Sequence, residues 1–377
     1  EPISMSVWDN EEMAPIYSAY LTNSFLMKID PETLEPVCDL AESYEIVSDT
    51  EYVFYLRKGV LFHHGKEFKA EDVVATYEKI IEYPGSSPYV SSIVSVEAMD
   101  DYTVKFTMNG PYPNLLYDLG YKYWFIYPAD LIESGHDFAS EPVGTGPFKF
   151  VSRTAQDSIV LEKFDEYWGT PAYLDQVTFK IIENADSLLM SLQSGAIDLC
   201  SHLTSTQVAQ LGDDFQVLEG TMNLVQALYL NNAVEPFNNE KVRQALCYAV
   251  DVDAMLDLTS DGHGTKVGSS MYPSFGKYFD ASLADAYPHD PEKAKELLAE
   301  AGYPDGFTFT ITGPSNYQPH VDTAVVLAQQ LSAVGVTADI QKVDWNTWVN
   351  DVYGGRNFQS TVVGFDSSTL NASGMLA

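Results

Sequence analysis

The spacing of apolar residues changes along the chain and predicts strands and helices in turn. Between Tyr52 and Phe62, apolar and polar residues alternate around the turn Arg57-Lys58-Gly59, which indicates two short strands. In residues 71–83 the apolar positions recur at helical spacing, with acidic residues in the first turn and Pro84-Gly85 after the last, which predicts a helix. The same patterns predict strands at 95–98, 103–108, 148–152, 158–163, 177–182, 197–200 and 224–230, and helices at 188–194 and through Val242, Leu246 and Ala249.

The last third of the chain alternates helix and strand patterns, which is typical of a sheet with parallel strands. In open sheets of this kind ligands bind outside the carboxyl ends of the strands, so we expect the loops after Ile311, Val343 and Gly364 to face a ligand-binding cleft. The predicted helices are 291–301, 320–334 and 346–353, and the predicted strands are 307–311, 336–343 and 358–364. The loops carry Gly313, Asn316, Trp345, Trp348, Phe365 and Asp366.

Composition and charge narrow the class of protein. The 377 residues are 45% hydrophobic, which suffices for two or more domains with cores of their own. No apolar run approaches the roughly 20 residues that cross a bilayer. The net charge of −34 is spread along the chain, so we expect no nucleic acid and no anionic lipid surface as a partner.

The two ends of the sequence suggest processing or truncation. The first residues, 1–5, contain no basic stretch and no apolar core, so we expect that any export signal or lipid anchor has been removed. The sequence stops at Ala377, shortly after Ser368 or Ser373 opens a predicted helix. We therefore expect a truncated C-terminus.

No motif predicts catalysis or a bound metal. Residues 144–148, Gly-Thr-Gly-Pro-Phe, resemble a phosphate loop, but Pro147 lacks a backbone donor and the segment continues as a strand. His63 and His64 would point to opposite faces of a strand and would not share one ion. Three separated cysteines form no paired motif, and no nucleophile motif is present. We expect no enzyme, no metal and no cofactor, with a hydrolase that uses two carboxylates as the remaining alternative.

Large aromatic residues lie in or near predicted loops rather than in core stripes. Rings in a cleft bury a large area with few rotatable bonds, which suits ligand capture. The alternative for any one ring is packing between layers of secondary structure. The residues concerned are Trp8, Tyr89, Tyr123, Trp124, Trp345 and Trp348.

Several longer segments resemble one known family. Residues 51–73, EYVFYLRKGVLFHHGKEFKAEDV, closely resemble the signature of the extracytoplasmic solute-binding proteins of peptide/nickel-type ABC importers, the oligopeptide/dipeptide-binding protein family. The resemblance covers almost the whole chain in the family's order. It continues in PVGTGPFKF at 142–150, FDEYWG at 164–169, LQSGAIDL at 192–199, YLNNAVEPFNNEKVRQALCYAVD at 229–251 and DPEKAKELLAEAG at 290–302.

The resemblance implies an α/β fold of the type II periplasmic-binding-protein kind. Two lobes with mixed sheets would surround a ligand cleft, and an extra domain would be inserted in the first lobe. Residues 1–29 and 143–230 would form lobe I, 30–142 the inserted domain II, and 231–377 lobe III, which would be incomplete at its C-terminus.

The resemblance also implies a function and partners. The protein would capture a small solute, first of all a short peptide, by hinge closure and deliver it to the permease subunits of an ABC transporter. It would be a monomer outside the cytoplasm, either periplasmic or lipid-anchored at the outer face of the membrane. A nickel chelate, an opine or an oligosaccharide remains open as the ligand.

In the peptide-binding branch of the family, a strand that ends in a Gly-aromatic pair lies against the peptide, and this pair matches Gly364-Phe365. An aspartate three residues after the aromatic binds the ligand's α-amino group; that position is Ser368 here, whereas Asp366 directly follows Phe365. Either Asp366 substitutes from a shifted turn or the ligand is not a simple peptide. Trp345 matches a cleft aromatic, and Arg356 lies where some members place a carboxylate-binding arginine. The predicted ligand-binding residues are Trp8, Asp9, Tyr89, Trp124, Trp345, Trp348, Arg356, Gly364, Phe365 and Asp366.

Overall fold

The computed structural model describes residues 5, 14–82, 90–120, 124–182, 184–201 and 203–367. The chain divides into two compact units, Glu1–Cys200 and Ser201–Ala377. None of the helices within the described ranges is long and apolar enough to cross a membrane.

The N-terminal unit contains nine strands among its described residues, and its sheets are antiparallel. The strands are β1 Met27–Ile29, β2 Pro36–Cys38, β3 Ala41–Ser48, β4 Glu51–Leu56, β5 Ile93–Asp100, β6 Thr103–Met108, β7 Phe148–Thr154, β8 Ser158–Lys163 and β9 Gln176–Lys180. The helices are α1 Ala14–Thr22, α2 Ala70–Glu82, α3 Leu115–Asp118, α4 Ala129–Ser134 and α5 Ala185–Gln193. The strand orders are β3-β4-β6-β5, β7-β8-β9 and β1-β2.

The main core of this unit lies between the four-stranded sheet and helix α2. Tyr52, Phe54 and Leu56 alternate along β4 and are all buried, because alternate residues of a strand point to one face. Helix α2 covers this face with Tyr77, whose ring meets Phe106 of β6 edge to face at 5.0 Å between centroids. Each such ring contributes about 2 kcal/mol of hydrophobic stabilisation.

The C-terminal unit is built on one mixed sheet with the order β10-β13-β11-β12. Strand β10 runs antiparallel to β13, whereas β11 runs parallel to both β13 and β12. The strands are β10 Leu224–Leu230, β11 Thr308–Pro314, β12 Thr337–Val343 and β13 Ser360–Asp366. The helices are α6 Ser205–Val208, α7 Glu240–Ala249, α8 Val252–Ser260, α9 Pro291–Glu300, α10 Gln318–Ser332 and α11 Trp345–Thr347, with 3₁₀ turns at Pro273–Tyr278 and Ala281–Asp285 and a π-helical segment at Trp348–Gly354.

One face of this sheet packs on helices α7, α9 and α10. Ile311 of β11 and Val362 of β13 are fully buried in one hydrophobic cluster with Leu298 of α9 and Leu331 of α10. Helix α9 begins at Pro291 as its sequence predicts, and Asp290 caps it by accepting the Lys293 backbone N–H at 2.9 Å. This packing holds the carboxyl ends of β11, β12 and β13 in fixed positions.

Two predicted strands of the N-terminal unit differ from the structure. Residues 197–200 form no strand, and the Leu199 side chain is 81% exposed, so its apolar character does not reflect a sheet position. The strand expected at 60–62 is reduced to an isolated bridge between Leu61 and Glu67. Strand β10 pairs along its whole length with β13 in the C-terminal unit. The expected domain boundaries stay predictions.

Candidate ligand-binding site

The carboxyl ends of the C-terminal strands leave one strand edge free. Strand β11 pairs with β12 along its whole length, but with β13 only at Ile311–Ser360 and Thr312–Thr361. Beyond Thr361, no ladder joins β13 to β11 within the described part of the chain, although Val362 still lies beside Gly313 and both Val362 and Val363 are buried. The partly exposed residues of this edge are Gly364 and Phe365. These residues keep their ladder to β10 on the other side.

The two faces of β13 have different surroundings. Val362 faces the helices, whereas Val363 and Phe365 point to the opposite face and pack on aromatic residues. Gly364 lies beside β10, where an added Cβ would come within 2.5 Å of Leu224 Cδ2. A glycine at this position therefore lets the Leu224 side chain pack directly across the strand end.

Trp345, Trp348 and Tyr353 form a column of parallel rings, which we call the aromatic stack. The Trp345 and Trp348 centroids are 5.2 Å apart at 14°, and those of Trp348 and Tyr353 are 5.8 Å apart at 20°. Trp348 Nε1 donates a hydrogen bond to Thr361 Oγ1 at 3.0 Å, which ties the stack to β13. Phe365 contacts Tyr353 at 5.8 Å, so the stack and the end of β13 form one surface.

The backbone that carries the stack differs from the helix expected at 346–353. Asp344 starts helix α11 by accepting hydrogen bonds from the Thr347 backbone N–H at 3.1 Å and from Thr347 Oγ1 at 2.6 Å. These bonds to Thr347 hold the pKa of Asp344 below its usual value. After three residues the chain widens into the π-helical segment.

Arg356 is positioned by a ring rather than by a carboxylate. Its guanidinium carbon lies 5.1 Å from the Tyr353 centroid, at the stack. Its backbone is left-handed with a φ of 54°, and its carbonyl accepts the Phe358 N–H at 3.0 Å. Among the residues that the structure describes, no acidic group lies within salt-bridge distance of Arg356.

Asp366 ends β13 and is exposed. The chain beyond it is held by Tyr272, whose hydroxyl accepts the Ser367 backbone N–H at 3.0 Å. Burial of the Tyr272 hydroxyl, together with the nearby Asp366 charge, raises its pKa to about 12, so it stays a neutral phenol near pH 7. The bond from Ser367 to Tyr272 and the pairing of β13 with β10 together fix the position of Asp366 at the end of the strand.

Sequence reasoning missed a polar pair beside the stack. Gln226 of β10 is the register partner of Gly364, and its Oε1 lies 2.8 Å from His320 Nδ1. The His320 ring lies 5.4 Å from Tyr317, which in turn meets Trp345 at 5.1 Å. The sequence contained a signal for this pair, because Gln226 is the one strongly polar residue in the apolar strand LVQALYL.

The remaining predicted site residues lie elsewhere or outside the described ranges. Trp8, Asp9 and Tyr89 fall outside the described residues. Trp124 is 2% exposed in the core of the N-terminal unit, where its ring meets Tyr77 at 5.9 Å. Trp348 is 4% exposed, so in this structure it supports its neighbours through packing. Trp345, Gly364, Phe365 and Asp366 lie at or near the carboxyl end of β13. Arg356 precedes the strand and is connected to this group through the Tyr353 ring.

The described ranges contain no group of three histidine, cysteine or acidic side chains that could hold a metal ion. The adjacent histidines bond to different segments. His63 Nε2 lies 3.0 Å from the Gly146 carbonyl oxygen, whereas His64 Nε2 lies 3.2 Å from Asp130 Oδ2.

An open mixed sheet with rings, a guanidinium and a carboxylate at its strand ends is typical of a receptor for a small ligand. The chain belongs to the bacterial extracellular solute-binding proteins of family 5, whose family model matches residues 35–377. The predicted family and type II fold are thus confirmed.

Individual relatives agree with this assignment. Heme-binding protein A of Haemophilus influenzae is 37% identical over 73% of this chain and 55% of its own length. The dipeptide-binding protein of Escherichia coli K12 is 31% identical over 88% of this chain and 68% of its own length. A periplasmic binding protein of Helicobacter pylori, solved with the peptide STSA, superposes with a TM-score of 0.86 at 30% identity, covering 100% of this chain and 78% of that one. The chain thus spans little more than half the length of the first of these relatives.

Proposed function

We propose that this protein is the substrate-binding component of an ABC importer, which captures a short peptide and hands it to the membrane permease. It acts outside the cytoplasm, in the periplasm or lipid-anchored at the outer face of the membrane. It works as a monomer and catalyses no reaction. The observation that carries the proposal is the free edge of β13 beside the aromatic stack.

A free strand edge suits a peptide because an extended chain can add to it as a further strand. The exposed part of the unpaired edge is Gly364 and Phe365, because Val362 and Val363 are buried. At about 3.3 Å per residue it is about 7 Å long, which suits about two residues of ligand. Main-chain hydrogen bonds do not depend on the ligand's side chains, so such a site would tolerate many peptide sequences. The peptides named for the relatives from E. coli and H. pylori support the same ligand class.

The charged groups beside this edge suit the two ends of a peptide. Arg356 lacks an acidic partner in the described part of the chain, although acids outnumber bases 54 to 20. A guanidinium binds a carboxylate through two parallel hydrogen bonds, so we assign Arg356 to the ligand's C-terminus. Asp366, exposed at the strand end, is our candidate for the ammonium group.

Binding of the tetrapeptide Ser-Thr-Ser-Ala and its C-terminal amide, measured by calorimetry, tests this proposal. We expect the free acid to bind at least about 10-fold more tightly than the amide, because the amide cannot form the charged pair. In Arg356→Gln this difference should disappear, whereas Arg243→Gln, which removes an arginine of helix α7, should preserve it.

The same experiment can contradict the proposal. If neither this peptide nor an equimolar pool of tripeptides binds or raises the melting temperature, the ligand is not a short peptide. The recovered peptide should be chemically unchanged after prolonged incubation. Cleavage would instead support the hydrolase alternative.

Haem is a second candidate ligand because the relative from H. influenzae is named for it. Phe365 and Trp345 are both half-buried at the strand end and could contact a flat macrocycle. Titration with haemin in the presence and absence of the peptide distinguishes the two. A haemin absorbance change that the peptide pool fails to suppress would favour this candidate.

A further inference from the structure

The side-chain amide of Gln226 has a defined orientation. Its Nε2 donates to the Pro319 carbonyl oxygen at 3.2 Å and also contacts Thr323 Oγ1. A carbonyl oxygen can only accept a hydrogen bond, so the amide nitrogen must face Pro319. Thr323 Oγ1 itself donates to the same carbonyl at 2.8 Å, which leaves its lone pairs for the amide nitrogen. The amide oxygen must then face His320.

This orientation determines where His320 carries its proton. Gln226 Oε1 can only accept, and it lies 2.8 Å from His320 Nδ1. Nδ1 must therefore be the protonated nitrogen. In the neutral imidazole the second nitrogen, Nε2, then holds a lone pair and acts as an acceptor. Burial lowers the pKa of His320 below its ordinary value, which favours the neutral ring near pH 7.

Tyr317 connects the pair to the surface assigned above to the ligand. Its ring contacts the His320 ring on one side and Trp345 of the stack on the other. Gln226 is opposite Gly364 in the sheet. No hydrogen-bond partner for His320 Nε2 is found in the described ranges, while the residue is only half-buried. An acceptor in this state is available to a donor from outside the chain.

We propose that Gln226 is a positioning residue that holds His320 in one tautomer, so that Nε2 accepts a hydrogen bond from an N–H group of the bound ligand. The proposal rests on the proposed function, because a peptide supplies such donors in its amide and ammonium groups. A ligand that presents only oxygen acceptors at this point would be rejected, because two lone pairs would face each other.

Two variants of His320 separate the roles of its nitrogens. Asparagine reproduces the position of Nδ1 but has no atom at Nε2, whereas glutamine reaches the position of Nε2. We expect His320→Asn to retain its melting temperature and to bind the Ser-Thr-Ser-Ala peptide about 10-fold more weakly. His320→Gln should retain affinity within about 3-fold of the original. Equal losses in both variants, or no loss in either, would overturn the proposal.

A spectroscopic measurement tests the tautomer without any ligand. Long-range proton–nitrogen NMR spectra of the free protein distinguish protonated from bare imidazole nitrogens, and His320→Asn identifies the signals that belong to His320. We expect a protonated Nδ1 and a bare Nε2, and a changed protonation pattern in Gln226→Leu together with weaker peptide binding. A protonated Nε2 in the free protein, or a Gln226→Leu variant that loses affinity with an unchanged tautomer, would contradict the positioning role. If the protein binds no peptide, the proposed function fails, while the spectrum still decides the role of Gln226.

Discussion

At the scale of single residues, His63 illustrates how one side chain can hold a loop. Its Nε2 donates to the Gly146 carbonyl, and its Nδ1 accepts the Gly144 backbone N–H at 3.2 Å, so both ring nitrogens are used. The sequence places His63 and His64 in a strand; the structure places them in a turn, yet they still face different partners. The glycines are required because an added Cβ on Gly146 would lie 2.5 Å from the Leu21 carbonyl oxygen.

The neutral state of His63 predicts a loss of stability in mild acid. Burial lowers the pKa of His63 from 6.5 to about 4. As the pH falls below 6.5, the unfolded chain binds a proton that the folded protein does not, so the free energy of unfolding decreases down to about pH 4. This group alone should cost about 2 kcal/mol between pH 7 and pH 5.

Urea unfolding at several pH values measures this contribution. In His63→Gln the pH slope over that range should be flatter than in the unmodified protein, whatever the absolute stability of the variant. Ser332→Ala, which removes an exposed hydroxyl and no titratable group, serves as the control and should keep the slope. An identical slope in His63→Gln would show that His63 titrates normally in the folded protein.

At the scale of elements, the π-helical segment explains why the aromatic stack exists. Gly355 N donates to the Asn350 carbonyl oxygen at 2.9 Å, which is the five-residue spacing of a π-helix. Trp348 and Tyr353 are also five residues apart and therefore lie above one another. In an α-helix, at 3.6 residues per turn, they would point in clearly different directions. The predicted helix at 346–353 could not have placed these rings together.

Asp344, which caps helix α11 just before the π-helical segment, should influence ligand binding without contacting the ligand. Asp344→Ala removes the cap that begins helix α11 next to Trp345 and should lower stability by about 1 kcal/mol. We also expect weaker peptide binding and a smaller near-ultraviolet circular dichroism signal, because the stacked indoles lose their fixed geometry. Asp290→Ala removes a comparable cap on helix α9 and should lower stability while leaving affinity unchanged. If the two variants bind the peptide with equal affinity, the aromatic stack is not part of the binding site.

At the scale of the whole molecule, the net charge of −34 is the dominant electrostatic feature. Some of the few cations pair with several acids at once. Lys66, for example, lies 2.9 Å from Glu71, 2.7 Å from Asp72 and 3.3 Å from Asp130. Asp72 is fully buried, so this cluster compensates a charge that would otherwise be costly. Acids outnumber bases 54 to 20, so the excess negative charge repels itself.

This repulsion predicts that added salt stabilises the protein. Sodium chloride shortens the range of this repulsion to about 10 Å at 0.1 M. The acidic groups are closer together in the folded protein than in the unfolded chain, so salt should stabilise the folded state more. We expect the melting temperature to rise by a few degrees between 10 mM and 300 mM salt. Sodium chloride is preferred to sulfate, which also strengthens apolar burial. A constant or falling melting temperature would mean that local ion pairs outweigh the net charge.

The sequence was sufficient for the elements whose signals are local. Helix α9 and strand β13 were predicted from the alternating helix and strand patterns of the last third of the chain, because periodicity acts within a few residues. The family also followed from the sequence, since its segments recur in order over nearly the whole chain. The residues that meet at the end of β13 were predicted in part, from strand-end topology and from the resemblance.

What only the tertiary structure decided depends on contacts between residues distant in sequence. The division of the chain before β10, the burial of Trp124 and the free edge of β13 all follow from which strands pair and which rings meet. The bond between Gln226 and His320 joins positions 94 residues apart, and the aromatic stack requires a helix type that periodicity does not reveal. The sequence alone determined the family, the charge and the local elements, because these are properties of neighbouring residues. The geometry of the site was decided by pairing and packing across the chain, which no local pattern encodes.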